Sequence, residues 1–128
     1  MQVWEYVANV LGGSKAPTID SFTSKAVVLV AGTLNQSIVA APGASKAIYI
    51  YGLSVHGATG AGTLTLQDED DTALSGAIGL DANYNWTLPP ASNVAMPWIK
   101  VATNKALEGD TAGLCTVGGV ITYAIVSV

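Results

Sequence analysis

The sequence predicts an all-β protein, a two-sheet antiparallel sandwich of jelly-roll type with an extended N-terminal arm. From residue 26 onward, short runs of β-branched, aromatic and small apolar residues recur roughly once every ten residues. Glycine, proline and asparagine separate these runs, which is typical of sandwiches and barrels. After residue 11 there is no amphipathic pattern of ordinary helix length. These observations place the arm at residues 1–25 and the sandwich at residues 26–128.

The arm is predicted from a change in pattern along the chain. Residues 1–11 read MQVWEYVANVL and fit either a short helix ending at Gly12-Gly13 or a strand. Residues 12–25 show no apolar periodicity, and a connector of that length without structure is unusual inside a compact domain. The apolar content of the arm indicates that it docks on its own domain, on a sister subunit or on a different protein.

The predicted strands follow in order, each ended by a turn. Pro42-Gly43 and Pro89-Pro90 are the strongest breaks, because proline cannot donate a hydrogen bond to a sheet. The expected runs are Ala26–Val30, Ser37–Ala41, two strands within Lys46–Asp68, Ala73–Leu80, Tyr84–Leu88, Pro97–Ala102, Ala106–Glu108 and Thr116–Val128.

The stretch Lys46–Asp68 is predicted to be the central hairpin, closed by a glycine-rich turn. Pairing His56 with Thr63 places Val55 opposite Leu64, which keeps apolar residues together on one face. Near Lys46 the alternation fails, because apolar residues occupy both faces there. We therefore expect that end of the strand to be covered on both sides.

The final run, Thr116–Val128, is apolar on both faces. Such a strand is expected to pack on the core with one face and on a neighbouring subunit with the other. The two sets of side chains are Val120, Ala124 and Val126 on one face, and Ile121, Tyr123 and Ile125 on the other.

Composition favours one domain with an uncharged surface. The 128 residues are 50% hydrophobic and 11% charged, against roughly 25% charged in an average soluble domain. A chain of this size cannot bury half of its residues. Its surface is therefore made of small uncharged residues, or part of it is hidden against other subunits.

The charge pattern disfavours two classes of partner. The net charge is −4, and all five basic residues are lysines. Proteins that read nucleic acid need basic patches and favour arginine, so we expect no nucleic-acid partner. We also expect no membrane partner, because there is neither a polybasic helix nor an apolar run near roughly 18 residues. With no signal-peptide pattern and a single cysteine, Cys115, we expect synthesis in the cytoplasm.

The candidate catalytic and metal-binding residues lead us to expect no enzyme activity, no cofactor and no metal site. Asp68–Asp71 are four consecutive acids, but their spacing is not that of a calcium loop, and a solvated loop tip is the favoured interpretation. His56 is the only histidine, so one chain cannot build a zinc site of the histidine–cysteine type. Ser54 and His56 share a strand face, but no third member of a catalytic triad is evident. Cys115 is predicted to be a small core residue.

Three stretches carry a resemblance to a family: Ala61–Leu66 with Leu74–Ile78, the closing Thr116–Tyr123, and Pro97-Trp98. Together they resemble small virion proteins of tailed bacteriophages, particularly the jelly-roll capsid decoration, or cement, proteins. The resemblance covers roughly residues 36–128.

The resemblance implies a protein on the capsid surface of a virion, usually a homotrimer, that binds the major capsid protein between capsomers and reinforces the shell. It implies that the final strand serves subunit contact, which gives Ile121, Tyr123 and Ile125 as interface candidates. It also implies that residues 1–25 contact the capsid. The candidate contact residues of the arm are Val3, Trp4, Tyr6 and Val7.

Two alternatives stay open. One is a receptor- or carbohydrate-binding module of a phage fibre or tail, and the weaker one is a cellular carbohydrate-binding domain. Trp4, Trp86 and Trp98 could form a sugar-stacking platform, although packing in a core or interface is favoured for them. An exposed groove at Trp86 or Trp98 that binds glycans would favour these alternatives.

Overall fold

The structure is a computed structural model that describes residues 17–128. Within this range the chain forms nine β-strands. Their bounds are β1 Thr18–Leu29, β2 Gln36–Val39, β3 Lys46–Ala58, β4 Gly62–Asp68, β5 Ile78–Leu80, β6 Asn85–Leu88, β7 Ile99–Lys100, β8 Leu107–Gly113 and β9 Thr116–Ser127.

The strands form two antiparallel sheets that pack against each other, which confirms the predicted all-β sandwich. The first sheet has five strands in the order β1-β9-β3-β6, with β7 also paired to β3. The second has four strands in the order β2-β8-β4-β5. Among the described strands, only β4 and β5 are both consecutive in sequence and hydrogen-bonded to each other. Most connections therefore carry the chain from one sheet to the other. The jelly-roll type and the N-terminal arm stay predictions.

The first strand begins at Thr18, eight residues before the predicted start of the sandwich. Residues of β1 pair with β9 from Thr18 to Leu29. The first nine residues of β1 are all exposed, so they show no apolar alternation for sequence reasoning to detect. The arm boundary placed at residue 25 was therefore too late, because residues 18–25 belong to a sheet.

An ion pair holds the start of β1 to the neighbouring strands. The Asp20 carboxylate lies 3.0 Å from Nζ of Lys46 on β3 and accepts a hydrogen bond from the Ser127 hydroxyl on β9. The hydrogen bonds from Lys46 and Ser127 lower the pKa of Asp20. Together, the ion pair and the hydrogen bond of Asp20 join β1, β3 and β9. They lie where the pairing of β1 with β9 has an irregular register, between Ile19 and Ser21.

The predicted central hairpin was wrong, because β3 and β4 lie in different sheets. β3 pairs with β9 along its length, and β4 pairs with β8. Val55 and Leu64, predicted to be neighbours on one face, are both buried in the core between the sheets. The predicted alternation of apolar residues was correct for each strand. The same alternation arises whether the two strands pair in one sheet or belong to two sheets that face each other across a core.

Close packing explains the glycines that suggested a hairpin turn. A Cβ on Gly57 would lie 2.9 Å from Sγ of Cys115 and 2.7 Å from the carbonyl oxygen of Asp81. A Cβ on Gly62 would meet the Ala112 carbonyl oxygen. These glycines therefore allow backbones to approach where the chain crosses between sheets, and the turn itself uses a positive φ of 68° at Thr59.

The main core lies between the sheets, and Cys115 is fully buried in it, as predicted. A second, smaller cluster lies on the outer face of the five-stranded sheet and contains Ala47, Tyr51, Ala124 and Val126. The β3–β9 pairing shifts register between Ile50 and Gly52. The start of β3 is thus covered on both faces, which confirms that prediction.

Candidate functional site

The outer face of the five-stranded sheet presents an uncovered surface at one end. Ala26, Val120, Ser54 and Thr87 are paired in one row across β1, β9, β3 and β6. Paired residues point to the same face, and consecutive residues of a strand point to opposite faces. Because Ile121 points into the core, the row through Val120 points outward.

Three apolar side chains stand out from this surface. Val28 is 80% exposed, Phe22 54% and Val120 50%. Burying a side chain of this type typically stabilises by about 1.5–3 kcal/mol, so their exposure favours a surface that meets a partner. We define the outer patch by six residues: Phe22, Ala26, Val28, Ser54, Val120 and Thr122.

The hydroxyl groups in and beside the outer patch hydrogen-bond to one another. Oγ of Ser24 lies 3.1 Å from Oγ1 of Thr122, and Oγ of Ser54 lies 3.5 Å from Oγ1 of Thr87. Between the rows of Phe22 and Val28, the described side chains that point outward from β1 and β9 are uncharged. A neutral surface whose hydroxyls already have partners loses little hydration when it is covered.

The other end of the same face is covered by the segment that follows β6, residues 89–98. The hydroxyl of Tyr51 donates a hydrogen bond to the carbonyl oxygen of Val94, and the amide of Ala91 donates to the carbonyl oxygen of Tyr51 at 2.7 Å. Burial raises the pKa of the Tyr51 hydroxyl, with a smaller contribution from Tyr49. Here β9 is indeed covered on both faces, but its own chain provides the cover.

The interface candidates on β9 point into the sandwich. Ile121 has 0% exposure and belongs to the main core, while Tyr123 and Ile125 are partly buried against that core. A side chain sealed inside its own sandwich cannot contact a second subunit, so the assignment of Ile121 to a subunit interface is corrected. The opposite face of β9, which includes Val120, is the one that reaches the surface.

Trp98 lines a shallow depression beside the covering segment. Its indole Nε1 donates a hydrogen bond to the carbonyl oxygen of Pro89 at 2.7 Å, and its side chain is 49% exposed. The depression has a volume of about 250 Å³. Its other lining residues are Ala91, Ser92, Asn93, Met96 and Pro97. Trp86, by contrast, packs against the main core.

The acidic run is more structured than the predicted solvated loop tip. Asp68 is only 4% exposed, and its Oδ1 accepts hydrogen bonds from the amides of Asp70 and Thr72. The carboxylate of Asp70 lies 2.8 Å from Nζ of Lys105, and this bond raises the lysine pKa. The amide of Ala106 donates to Glu69. The carboxylates therefore cap a turn and attach it to the start of β8.

Glu108 lies beside this turn on β8. Its Oε2 is buried without a hydrogen-bond partner among the described residues. Burial, and then the nearby carboxylates of Asp71, Glu69 and Asp110, raise the pKa of Glu108. Within residues 17–128, no group of three or more His, Cys, Asp or Glu side chains is arranged to hold a metal ion.

His56 and Ser54 lie on one face of β3, as predicted, and each contacts the neighbouring strand β6. Nδ1 of His56 lies 2.7 Å from Oδ1 of Asn85, while Ser54 contacts Thr87. These contacts join β3 to β6 at the margin of the outer patch.

The predicted contact residues of the arm, Val3, Trp4, Tyr6 and Val7, lie outside the described residues and stay a prediction. Among residues 17–128, no helix is long and apolar enough to cross a membrane. Comparison with protein-family models, curated proteins and solved structures found no match to this chain.

Proposed function

We propose that the protein is a structural virion protein, a capsid decoration protein that binds between capsomers and stabilises a phage head. The observation that carries this proposal is the outer patch, an exposed and uncharged surface on a rigid sheet. A chain of net charge −4 that keeps one such surface free of charge is suited to permanent contact with other subunits. The major capsid protein is the proposed partner, and a homotrimer is the form that the resemblance implies.

The strand order supports the jelly-roll assignment. With the two-residue β7 set aside, four strands remain in each sheet, in the orders β1-β9-β3-β6 and β2-β8-β4-β5. Neighbours in these sheets are mostly distant in sequence, as in the two Greek keys of an eight-stranded jelly roll. Such a sandwich is a rigid body that can present several contact surfaces at once.

The N-terminal segment fits the proposed contact with a shell. It joins the sandwich at Thr18, beside the ion pair of Asp20 and Lys46 that anchors β1. Several copies bound at symmetric sites need only modest affinity per contact, because they engage together. A protein that binds only the assembled shell stabilises it by mass action.

The proposal is tested with the full chain carrying Trp4→Ala and Tyr6→Ala together. Shells of candidate tailed phages are mixed with the protein, sedimented and imaged by cryo-microscopy. We expect the wild type to occupy symmetric sites between capsomers and the double variant to lose at least tenfold in occupancy at equal concentration. The matched control is Tyr84→Ala, which removes a half-exposed aromatic residue from the sandwich.

Binding to shells by the double variant at the wild-type level would exclude the arm as the contact. Failure of the wild type to bind any shell would exclude the decoration role.

A second candidate function is a receptor- or carbohydrate-binding module, and the Trp98 depression is the observation that favours it. The ring is half exposed with its N–H already bonded, so its face is free to stack on a sugar. We expect glycan binding, measured by calorimetry, to be lost in Trp98→Ala and kept in Tyr84→Ala. Equal binding by both variants would contradict this role.

A further inference from the structure

The Trp98 depression is formed by the covering segment, which is fixed to β3 at three points. The amide of Ala91 donates a hydrogen bond to the carbonyl oxygen of Tyr51 at 2.7 Å. The amide of Trp98 donates to the carbonyl oxygen of Ile50 at 2.9 Å. Between these two bonds, the Tyr51 hydroxyl donates to the carbonyl oxygen of Val94. The depression is therefore preformed, and a ligand does not have to order the segment when it binds.

Two polar side chains of the depression are available to a ligand. Ser92 and Asn93 line it, and both are exposed. Oδ1 of Asn93 accepts a hydrogen bond from the amide of Ala95 at 2.9 Å, which fixes the orientation of the side-chain amide. Nδ2 of Asn93 is thus the group that can donate to a ligand, and the Ser92 hydroxyl can donate or accept.

The same depression has an apolar side. The side chain of Trp98 is 49% exposed and that of Met96 is 69% exposed, and both line the depression with Pro97. None of its lining residues carries a charge. A neutral sugar ring has the matching chemistry, because it combines a face of C–H groups with a rim of hydroxyls. A proline-rich peptide instead needs an extended groove lined with aromatic residues, whereas Trp98 is the single aromatic residue among those that line the depression.

We propose that the Trp98 depression binds one neutral pyranose ring. The C–H face of the sugar stacks on the indole of Trp98, and its hydroxyls hydrogen-bond to Ser92 and Asn93. This inference rests on the second candidate function and deepens it by naming the class of ligand. Acidic sugars are disfavoured, because no lining residue offers a positive charge and the chain has a net charge of −4.

The size of the depression sets the expected affinity. Pockets for drug-sized ligands have volumes of roughly 300–1,000 Å³. A depression of about 250 Å³ accordingly holds a single ring. So few contacts give a dissociation constant of the order of millimolar. Several copies on one assembly would then bind a glycan-coated surface together, which raises the overall affinity.

The test is a titration of the isotope-labelled full chain, followed by nuclear magnetic resonance. The probes are methyl β-D-galactopyranoside and methyl β-D-glucopyranoside, which are neutral, and N-acetylneuraminic acid, which is charged. We expect a neutral glycoside at millimolar concentration to move the indole N–H signal of Trp98 and the amide signals of Ser92 and Asn93. N-acetylneuraminic acid should bind at least tenfold more weakly.

Two variants test the contacts. Trp98→Ala should weaken binding of the glycoside at least tenfold, because the stacking surface is lost. Ser92→Ala, at an exposed side chain, should weaken it roughly two- to tenfold, as expected for one hydrogen bond, so the test does not depend on Trp98→Ala folding. The matched control is Tyr84→Ala, because Tyr84 is 49% exposed like Trp98 and lies outside the depression. The dispersion of the amide signals checks that each variant is folded.

The outcomes separate this inference from the functions on which it bears. If neither neutral glycoside moves the Trp98 signal, the inference is overturned. Unchanged affinity in both folded variants, or equal weakening by Tyr84→Ala, would also overturn it. If N-acetylneuraminic acid binds as tightly as the glycosides, or if a different glycan binds through Trp98, the neutral ligand class falls and the glycan-binding function stands. Failure of every glycan removes both, while the decoration role is decided independently by binding to shells.

Discussion

The two outer faces of the sandwich both belong to antiparallel sheets, but their surface chemistry is opposite. On the five-stranded sheet, the outward positions at one end hold Ala26, Val28 and Val120, which are neutral and exposed. On the four-stranded sheet, outward positions of β8 hold Glu108 and Asp110, beside the acidic turn. Strand alternation decides which residues point outward, and the identity of those residues decides what each face can meet. One face is suited to association and the other to solubility.

The outer patch is surface, and the opposite face of the same strands is core. Two neighbouring residues of β9, one on each face, test this assignment. Ile121→Ala should lower the free energy of unfolding by about 2–5 kcal/mol, because it opens a cavity in the main core. Val120→Ala, on the opposite face of the same strand, should cost less than about 1 kcal/mol at concentrations where the protein is monomeric. Urea denaturation measures both. Similar values for the two variants would contradict the assignment of faces.

The fold class could be predicted from the sequence because each strand carries its own signal of alternation or apolar content. Which strands pair with each other could not be predicted from the sequence. Val55 and Leu64 satisfy the same pattern whether they lie side by side in one sheet or opposite each other across a core. The start of β1, from Thr18 to Lys25, shows no apolar alternation because it is exposed on both faces and is held by backbone pairing to β9.

The outer patch was only partly visible in the sequence. Alternation alone groups Val120, Ala124 and Val126 on one face of the last strand. Ala124 and Val126 are buried in a cluster with Tyr51 and Ala91, whereas Val120 is half exposed, and this difference depends on three-dimensional packing that the pattern does not show. Sequence reasoning assigned the interface to Ile121 because both faces of the strand are apolar and nothing in the pattern shows which one is inside.

On the outer face of the five-stranded sheet, the boundary between the covered end and the exposed end depends on Tyr51. The substitution Tyr51→Phe tests this and is expected to have a smaller effect. Tyr51→Phe removes the hydroxyl that donates to Val94 and should lower the free energy of unfolding by about 1 kcal/mol. Because that bond holds the covering segment, the amide of Ala91 should also exchange with solvent faster. The control is Tyr84→Phe, at an exposed tyrosine. Unchanged exchange at Ala91 would show that packing alone holds the segment.

The smallest expected change in stability comes from replacing Glu108, on the acidic outer face of the four-stranded sheet. Its pKa is raised by burial and by Asp71, Glu69 and Asp110, so the folded protein holds this proton more tightly than the unfolded chain does. As the pH rises through the raised pKa, the carboxylate ionises in an unfavourable site and the protein loses stability. Glu108→Gln, which stays neutral, should therefore be more stable than the wild type at pH 7. Because Glu108 is partly exposed, we expect a gain below about 1 kcal/mol.

The pH dependence distinguishes this cause from a general loss of negative charge. In melting curves between acid and neutral pH, Glu108→Gln and the wild type should converge at pH values below the ordinary pKa of glutamate, where both side chains are neutral. Asp81→Asn removes one charge from an exposed residue outside the acidic cluster and should show no comparable gain at pH 7. If Glu108→Gln is instead less stable than the wild type at pH 7, the carboxylate makes a stabilising contact, and the acidic face contributes to the fold as well as to solubility.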